Sequence, residues 1–135
     1  GSEEDLRLIV KHPAQMIGSD GLHLPGKTHP RLFGAFPRLL ARYVRDQGLL
    51  TLEEAVWKMS GFPAQRMGFR DRGRIAPGLA ADLVVFDPQT VQDTATFEEP
   101  GRYPEGIPYV LVNGRLVVDG GRHTGALAGM VLTPR

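Results

Sequence analysis

The N-terminal half contains one short apolar run that is typical of a buried strand, at residues 14–18, and it lies between helical patterns. A buried strand of the parallel type needs neighbours, because its backbone N–H and C=O groups must be hydrogen bonded. No neighbouring strand is predicted in this half of the chain. The 135 residues are therefore expected to be the tail of a larger α/β protein joined to a β domain.

Helices are predicted on both sides of this run. Residues 3–11 begin with a serine N-cap and three acidic residues, and His12-Pro13 ends the helix, since a residue before proline avoids the α region. Apolar residues recur at helical spacing over 36–47. Thr51 begins a further helix through the capping box T-L-E-E.

The second half predicts an antiparallel sheet. Residues 81–86 form one strand, and residues 107–112 pair with 115–118 across Asn113-Gly114, a dipeptide that favours a type I′ turn. Asp119-Gly120-Gly121 is expected to end this pairing, and 130–132 to add an edge strand. Residues 88–106 are expected to be an excursion without regular structure.

Composition excludes several classes of function. Sixteen basic and fifteen acidic residues leave a net charge of +1, which gives nucleic acid no support as a partner. The apolar stretches are too short to span a bilayer, so no membrane association is expected. The chain has no cysteine, which excludes disulfides and thiolate metal sites within it and fits a cytoplasmic protein.

Polar residues gather directly after the predicted strand. Ser19-Asp20-Gly21 ends the apolar run, and the following loop carries His23, His29 and Arg31. In α/β barrels and open sheets, ligands bind past the carboxyl ends of strands, which makes Asp20 a candidate functional carboxylate. On spacing alone, an ordinary Asp-Gly turn is the favoured interpretation. The two histidines alone are a poor zinc site, because zinc normally needs at least three protein ligands.

Several segments carry a resemblance to a known family. In order, they are M-I-G-S-D-G at 16–21, T-H-P-R-L-F-G-A-F-P-R-L-L at 28–40, Y-V-R-D-Q-G-L-L-T-L-E-E-A-V at 43–56, D-R-G-R-I-A-P-G-L-A-A-D-L-V-V-F-D-P at 71–88, A-T-F-E-E-P-G-R-Y-P-E-G-I at 95–107, Y-V-L-V-N-G at 109–114 and G-R-H-T-G-A-L-A-G-M-V-L at 121–132. Together they resemble the C-terminal portion of the N-acyl-D-amino-acid deacylases (D-aminoacylases) of the amidohydrolase superfamily.

The resemblance implies an α/β fold in two parts. Residues 1–68 would be the C-terminal end of a (β/α)8 barrel, with 13–18 as the eighth strand and the helices that follow it. Residues 69–135 would be the C-terminal half of a small β-sandwich. The rest of the barrel would be the missing N-terminal portion of the same protein.

The resemblance also implies a chemistry, which is hydrolysis of the amide of N-acyl-D-amino acids with a divalent metal, usually Zn²⁺. Asp20 would be a metal ligand and the general base and acid, taking a proton from the water that the metal activates and returning it to the leaving amine. His29 and Arg31 would be substrate-binding, with Arg31 able to hold the α-carboxylate. A salt bridge within the loop is an equally good account of Arg31 and stays open at this point. Most metal ligands would lie outside this chain, so the fragment alone is expected to be inactive.

Other functions stay open at this point. The chain could be a non-catalytic β-rich interaction module in which Asp20 is only a turn residue. It could belong to another amidohydrolase that acts on cyclic amides, of the dihydroorotase or hydantoinase type, since the G-x-I-x-x-G-x-x-A-D-L-V-V-F-D pattern is typical of the wider superfamily. A split enzyme assembled from two polypeptides is a third possibility.

Overall fold

The helix predicted over residues 3–11 is present at the start of the chain. A computed structural model describes residues 2–23 and 25–133. Helix α1 (Glu3–Lys11) begins at a capping box in which the Ser2 hydroxyl accepts from the backbone N–H of Asp5 and the Asp5 carboxylate accepts from that of Ser2. These two bonds satisfy N–H groups that the first turn would otherwise leave unpaired. The helix ends at His12, as the following proline predicts.

The remaining helices form two longer helical segments, and each contains a π-helical stretch. Helix α2 (Arg31–Arg38) continues as a π-helical segment over Leu39–Asp46, so helical structure begins five residues before the predicted start. Helix α3 (Leu52–Val56) begins at the predicted Thr51 capping box, continues as a π-helical segment over Trp57–Gly61 and leads into α4 (Phe62–Arg66). None of the described helices is long and apolar enough to cross a bilayer.

No strand forms over residues 14–18, so the predicted strand is wrong for the chain by itself. The physical reason is the lack of a backbone partner, because the described strands pair only with one another. The segment is held instead by Lys58, whose backbone C=O accepts from the N–H of Ile17 at 3.0 Å. The buried ammonium group of Lys58 donates to the backbone oxygens of His12 at 2.6 Å and Gln15 at 3.2 Å.

The second half contains a four-stranded antiparallel sheet in the order β1 (Leu83–Val85), β2 (Tyr109–Val112), β3 (Arg115–Asp119) and β4 (Arg122–His123). The Asn113-Gly114 turn between β2 and β3 is confirmed, with positive φ at both residues. The pairing of β2 with β3 ends at Asp119, as predicted, and the two glycines that follow form a tight turn into β4, a strand that the sequence did not predict. Residues 130–132 form no strand.

One apolar core draws on both halves of the chain. The π-helical segment provides Leu39, Leu40 and Tyr43, and the second half provides Val91, which is fully buried. The other buried members are Val10, Leu50 and Ala55. The excursion of residues 88–106 thus packs on the helices although it carries only one isolated bridge, between Gln92 and Glu105.

Candidate functional site

Asp20 occupies a strained backbone position. Its φ is +47°, one of two positive values at non-glycine residues within 2–23 and 25–133. The left-handed region is unfavourable for L-residues, although aspartate and asparagine tolerate it better than most. Such strain is enriched at functional sites, where the surrounding structure maintains it. The backbone geometry therefore agrees with a functional role, although a tight turn also explains it.

Gly21 brings this turn against the start of α2. A Cβ atom built on Gly21 would lie 2.8 Å from Leu32 Cδ1 and 3.0 Å from Leu32 Cα, so only glycine fits there without movement. The backbone N–H of Gly21 donates to the hydroxyl of Ser19 at 3.2 Å. This close approach places the Asp20 carboxylate beside the first residue of α2, which is Arg31.

Asp20 and Arg31, both predicted site residues, form an ion pair. Arg31 Nη2 lies 2.9 Å from Asp20 Oδ2. The Asp20 side chain is 78% exposed and that of Arg31 is 43% exposed, so water screens the pair. An exposed pair of this kind contributes only about 0–1 kcal/mol. The contact is therefore weak enough for another carboxylate to replace Asp20 on the guanidinium.

His29 makes a hydrogen bond and an aromatic contact in the same region. Its Nδ1 accepts from the backbone N–H of Arg31 at 3.0 Å. Its ring meets that of Phe97 edge to face, with centroids 5.1 Å apart and planes at 84°. His23, the other histidine of the loop, is exposed.

A groove of about 470 Å³ opens beside these residues, lined by Leu22, Lys27, Thr28, His29, Arg31 and Phe97. The Thr28 hydroxyl donates to the backbone oxygen of Leu22 at 2.8 Å and so links two points of the rim. The guanidinium of Arg31 and the ammonium of Lys27 give this groove cationic character. It can hold a small molecule that combines a carboxylate with an apolar group.

Phe97 is the groove residue that sequence reasoning missed, because residues 88–106 are polar and were treated as an excursion. The available signal was the presence of two aromatic residues in that polar stretch, Phe97 in the F-E-E-P-G run and Tyr103 after it. Beside Phe97, the pKa of Glu98 lies below its ordinary value, because its own backbone N–H and the Thr96 hydroxyl donate to the carboxylate and Lys27 attracts it. The last effect relates this stretch electrostatically to the loop before α2.

The described side chains do not complete a metal site by themselves. Within the described part of the chain, no three histidine, cysteine, aspartate or glutamate side chains come together at one point. Zinc normally needs at least three protein ligands. Asp20 could provide one oxygen ligand to an ion whose other ligands lie outside these 135 residues.

Comparison with known proteins identifies the family. The model of the amidohydrolase family matches residues 3–118. The D-aminoacylase of Alcaligenes xylosoxydans xylosoxydans is 52% identical over 130 residues, which are 96% of this chain and 27% of that protein. The chain thus spans about a quarter of the length of this relative.

Solved structures extend the similarity to the fold. A crystal structure of D-aminoacylase, described as defining a novel subset of amidohydrolases, superposes with a TM-score of 0.94 at 51% identity, covering 98% of this chain and 28% of that one. The N-acyl-D-glutamate deacylase of Bordetella bronchiseptica, complexed with zinc and a phosphonate mimic of the tetrahedral intermediate, gives 0.84 at 47% identity over 95% of this chain and 28% of that one. The resemblance stated from the motifs is confirmed, and the chain belongs to the amidohydrolase family.

Proposed function

We propose that this chain is part of a metal-dependent hydrolase that cleaves the amide of N-acyl-D-amino acids to a D-amino acid and a carboxylate. The observation that carries the proposal is the Asp20–Arg31 pair beside the groove, in a chain about half identical to a D-aminoacylase. A carboxylate able to move a proton and a guanidinium able to bind a carboxylate are the two groups that this reaction needs in proximity. The relatives' names support the substrate class.

Asp20 is proposed as the general base and general acid. It is also proposed as a ligand of the divalent metal, for which Zn²⁺ is the proposed ion. Its carboxylate would accept a proton from the attacking water and later donate it to the leaving nitrogen, so the residue ends unchanged. The bound metal would polarise the amide carbonyl and make water a better nucleophile. The strained φ of Asp20 and the close packing of Gly21 support a fixed position for this carboxylate.

Arg31 and His29 are proposed to bind the substrate. The guanidinium of Arg31 contacts Asp20 through one terminal nitrogen, so its remaining donors can form a bidentate pair with the substrate α-carboxylate. Because Nδ1 of His29 accepts a hydrogen bond, the neutral ring carries its proton on Nε2, which can donate to the substrate. Orientation by these two groups would place the amide carbon near the Asp20 carboxylate.

The division of the chain is proposed as in the family. Residues 1–68 would complete a (β/α)8 barrel, with 13–18 pairing as its eighth strand once the neighbouring strands are present, and 69–135 would form half of a β-sandwich. Exposed apolar side chains on the described sheet support a covering layer, since Val84 and Val85 point to opposite faces and are 56% and 49% exposed. The partner that covers these surfaces would be the N-terminal portion of the same protein.

The test is hydrolysis by the complete polypeptide of a panel of N-acetyl-D-amino acids, with the L-enantiomers as controls. We expect turnover of the D-forms that a chelator abolishes and Zn²⁺ restores, and no turnover by the 135-residue chain alone. Hydrolysis of dihydroorotate or a hydantoin in place of the D-substrates would instead favour a cyclic amidase. Absence of all these activities would contradict the proposal.

A further inference from the structure

A segment from the second half of the chain packs on α2. In the sequence, this segment is far from the loop that carries Asp20. Arg38 Nη1 lies 3.1 Å from Asp93 Oδ2 at one end of this segment. At the other end, Phe33 and Tyr103 meet edge to face with centroids 5.0 Å apart. The Thr94 hydroxyl donates to the backbone oxygen of Tyr103 at 2.6 Å, which closes the segment on itself. Residues 93–103 are therefore attached to α2 at both ends.

The tip of this segment is a turn that presents Phe97. The backbone N–H of Glu99 donates to the Thr96 hydroxyl at 3.0 Å, and the N–H of Thr96 donates to the backbone oxygen of Glu99 at 3.3 Å. Phe97 is 66% exposed, yet its ring packs on that of His29. The turn therefore positions Phe97 against the His29 imidazole. This edge-to-face contact restricts the orientation of the imidazole ring.

His29 in turn controls the first residue of α2. The N-cap residue of this helix is Pro30, whose side chain has no group to cap the helix, so the N–H of Arg31 depends on Nδ1 of His29. A rotation of the imidazole ring would break this bond and leave the N–H of Arg31 without its partner. The guanidinium that contacts Asp20 belongs to the residue whose N–H His29 holds.

We propose that Phe97 is a positioning residue for substrate binding, which acts through His29 on Arg31. The inference rests on the proposed function, because it assumes that Arg31 binds the substrate carboxylate. It assigns a role in the site to a segment more than sixty residues away in the sequence. Phe97 itself need not touch the substrate.

The test uses the complete polypeptide and the substrate N-acetyl-D-leucine. Loss of an edge-to-face contact that orients the binding groups should raise KM about threefold to tenfold in Phe97→Ala, with kcat changed by less than about twofold. Phe97→Tyr keeps the ring and should retain the parental KM. Leu127→Ala removes a 90% exposed apolar side chain elsewhere and serves as the matched control.

A double-mutant cycle separates positioning from direct contact. In a His29→Ala background, Phe97→Ala should have no further effect on KM, because the residue through which it acts is absent. An effect of full size in that background, or one that grows with the size of the substrate side chain, would overturn the inference. An unchanged KM in Phe97→Ala, with active parental enzyme, would also overturn it. If the parental polypeptide hydrolyses no N-acyl-D-amino acid, the proposed function itself fails.

Discussion

Replacing Lys58 with methionine should release the segment that leads to Asp20. Lys58 is 5% exposed, and its ammonium group donates to the backbone oxygens of His12 and Gln15. Its own backbone oxygen accepts from Ile17. Methionine keeps most of the aliphatic volume and removes the charge and both side-chain hydrogen bonds. The substitution thus isolates the attachment of residues 12–17 to the π-helical segment Trp57–Gly61.

The expected loss follows from the two bonds. Hydrogen bonds to a charged group contribute about 1.5–3 kcal/mol each, so the pair sets an upper range of about 3–6 kcal/mol. Two effects reduce it, since methionine avoids burying an ammonium ion and the His12 carbonyl still accepts from the backbone N–H of Gln15 at 3.0 Å. We expect the free energy of local opening at residues 12–17 to fall by about 2 kcal/mol. At about 1.4 kcal/mol per factor of ten, the Ile17 amide should exchange about 30-fold faster.

Hydrogen–deuterium exchange of the 135-residue chain, followed on peptides that contain residues 12–20, measures this opening. The control is Lys11→Met, which removes an exposed lysine from the last turn of α1 and should leave exchange of Ile17 nearly unchanged. Lys58→Arg can still donate from a cation and should show an intermediate rate. Equal exchange rates in Lys58→Met and Lys11→Met would refute the reasoning, because the buried ammonium would then not hold the segment.

Three further substitutions have expected outcomes that can be tested in the complete polypeptide. Asp20→Asn should lower kcat by about 10²–10⁴-fold, the range for a lost general base, with little change in Tm because the ion pair is exposed; near-normal turnover would remove the catalytic assignment. Gly21→Ala forces a Cβ against Leu32 and should lower kcat/KM for N-acetyl-D-leucine. The control Gly129→Ala adds a Cβ in open space and should leave kcat/KM unchanged. Equal kinetics in the two variants would contradict the packing argument. Asn113→Ala, at φ +49°, should cost about 1–2 kcal/mol in left-handed strain and lower Tm, and an unchanged Tm would contradict this.

Elements that depend on residues close together in the sequence were predicted correctly. The capping boxes at Ser2 and Thr51 and the type I′ turn at Asn113-Gly114 depend on residues three or fewer positions apart, and all are present. The end of β3 at Asp119 was also predicted correctly, but the turn at Gly120-Gly121 into β4 was not. Both glycines have positive φ, so the same turn rule indicates this hairpin without any distant contact.

Elements that depend on distant partners were not predictable in the same way. An apolar run such as 14–18 has strand composition, but pairing requires a second backbone that no described strand provides. Likewise, the loop containing His29 predicted a polar site, while its contact with Phe97 depends on the fold of residues 93–103. The resemblance located Asp20 and Arg31 as candidates, and the distance between them follows only from the close packing of Gly21.

The site therefore divides into a geometric part and an electrostatic part. The residues of this chain set the geometry, through the φ of Asp20 and the cap that His29 gives to α2. They do not set the dielectric environment, because a carboxylate that is 78% exposed interacts with Arg31 almost as it would in water. Preorganised charges are effective in catalysis where water is excluded. The proposed hydrolase consequently needs protein outside these 135 residues to exclude water from Asp20 as well as to provide metal ligands, and supplying zinc alone to this chain would meet neither need.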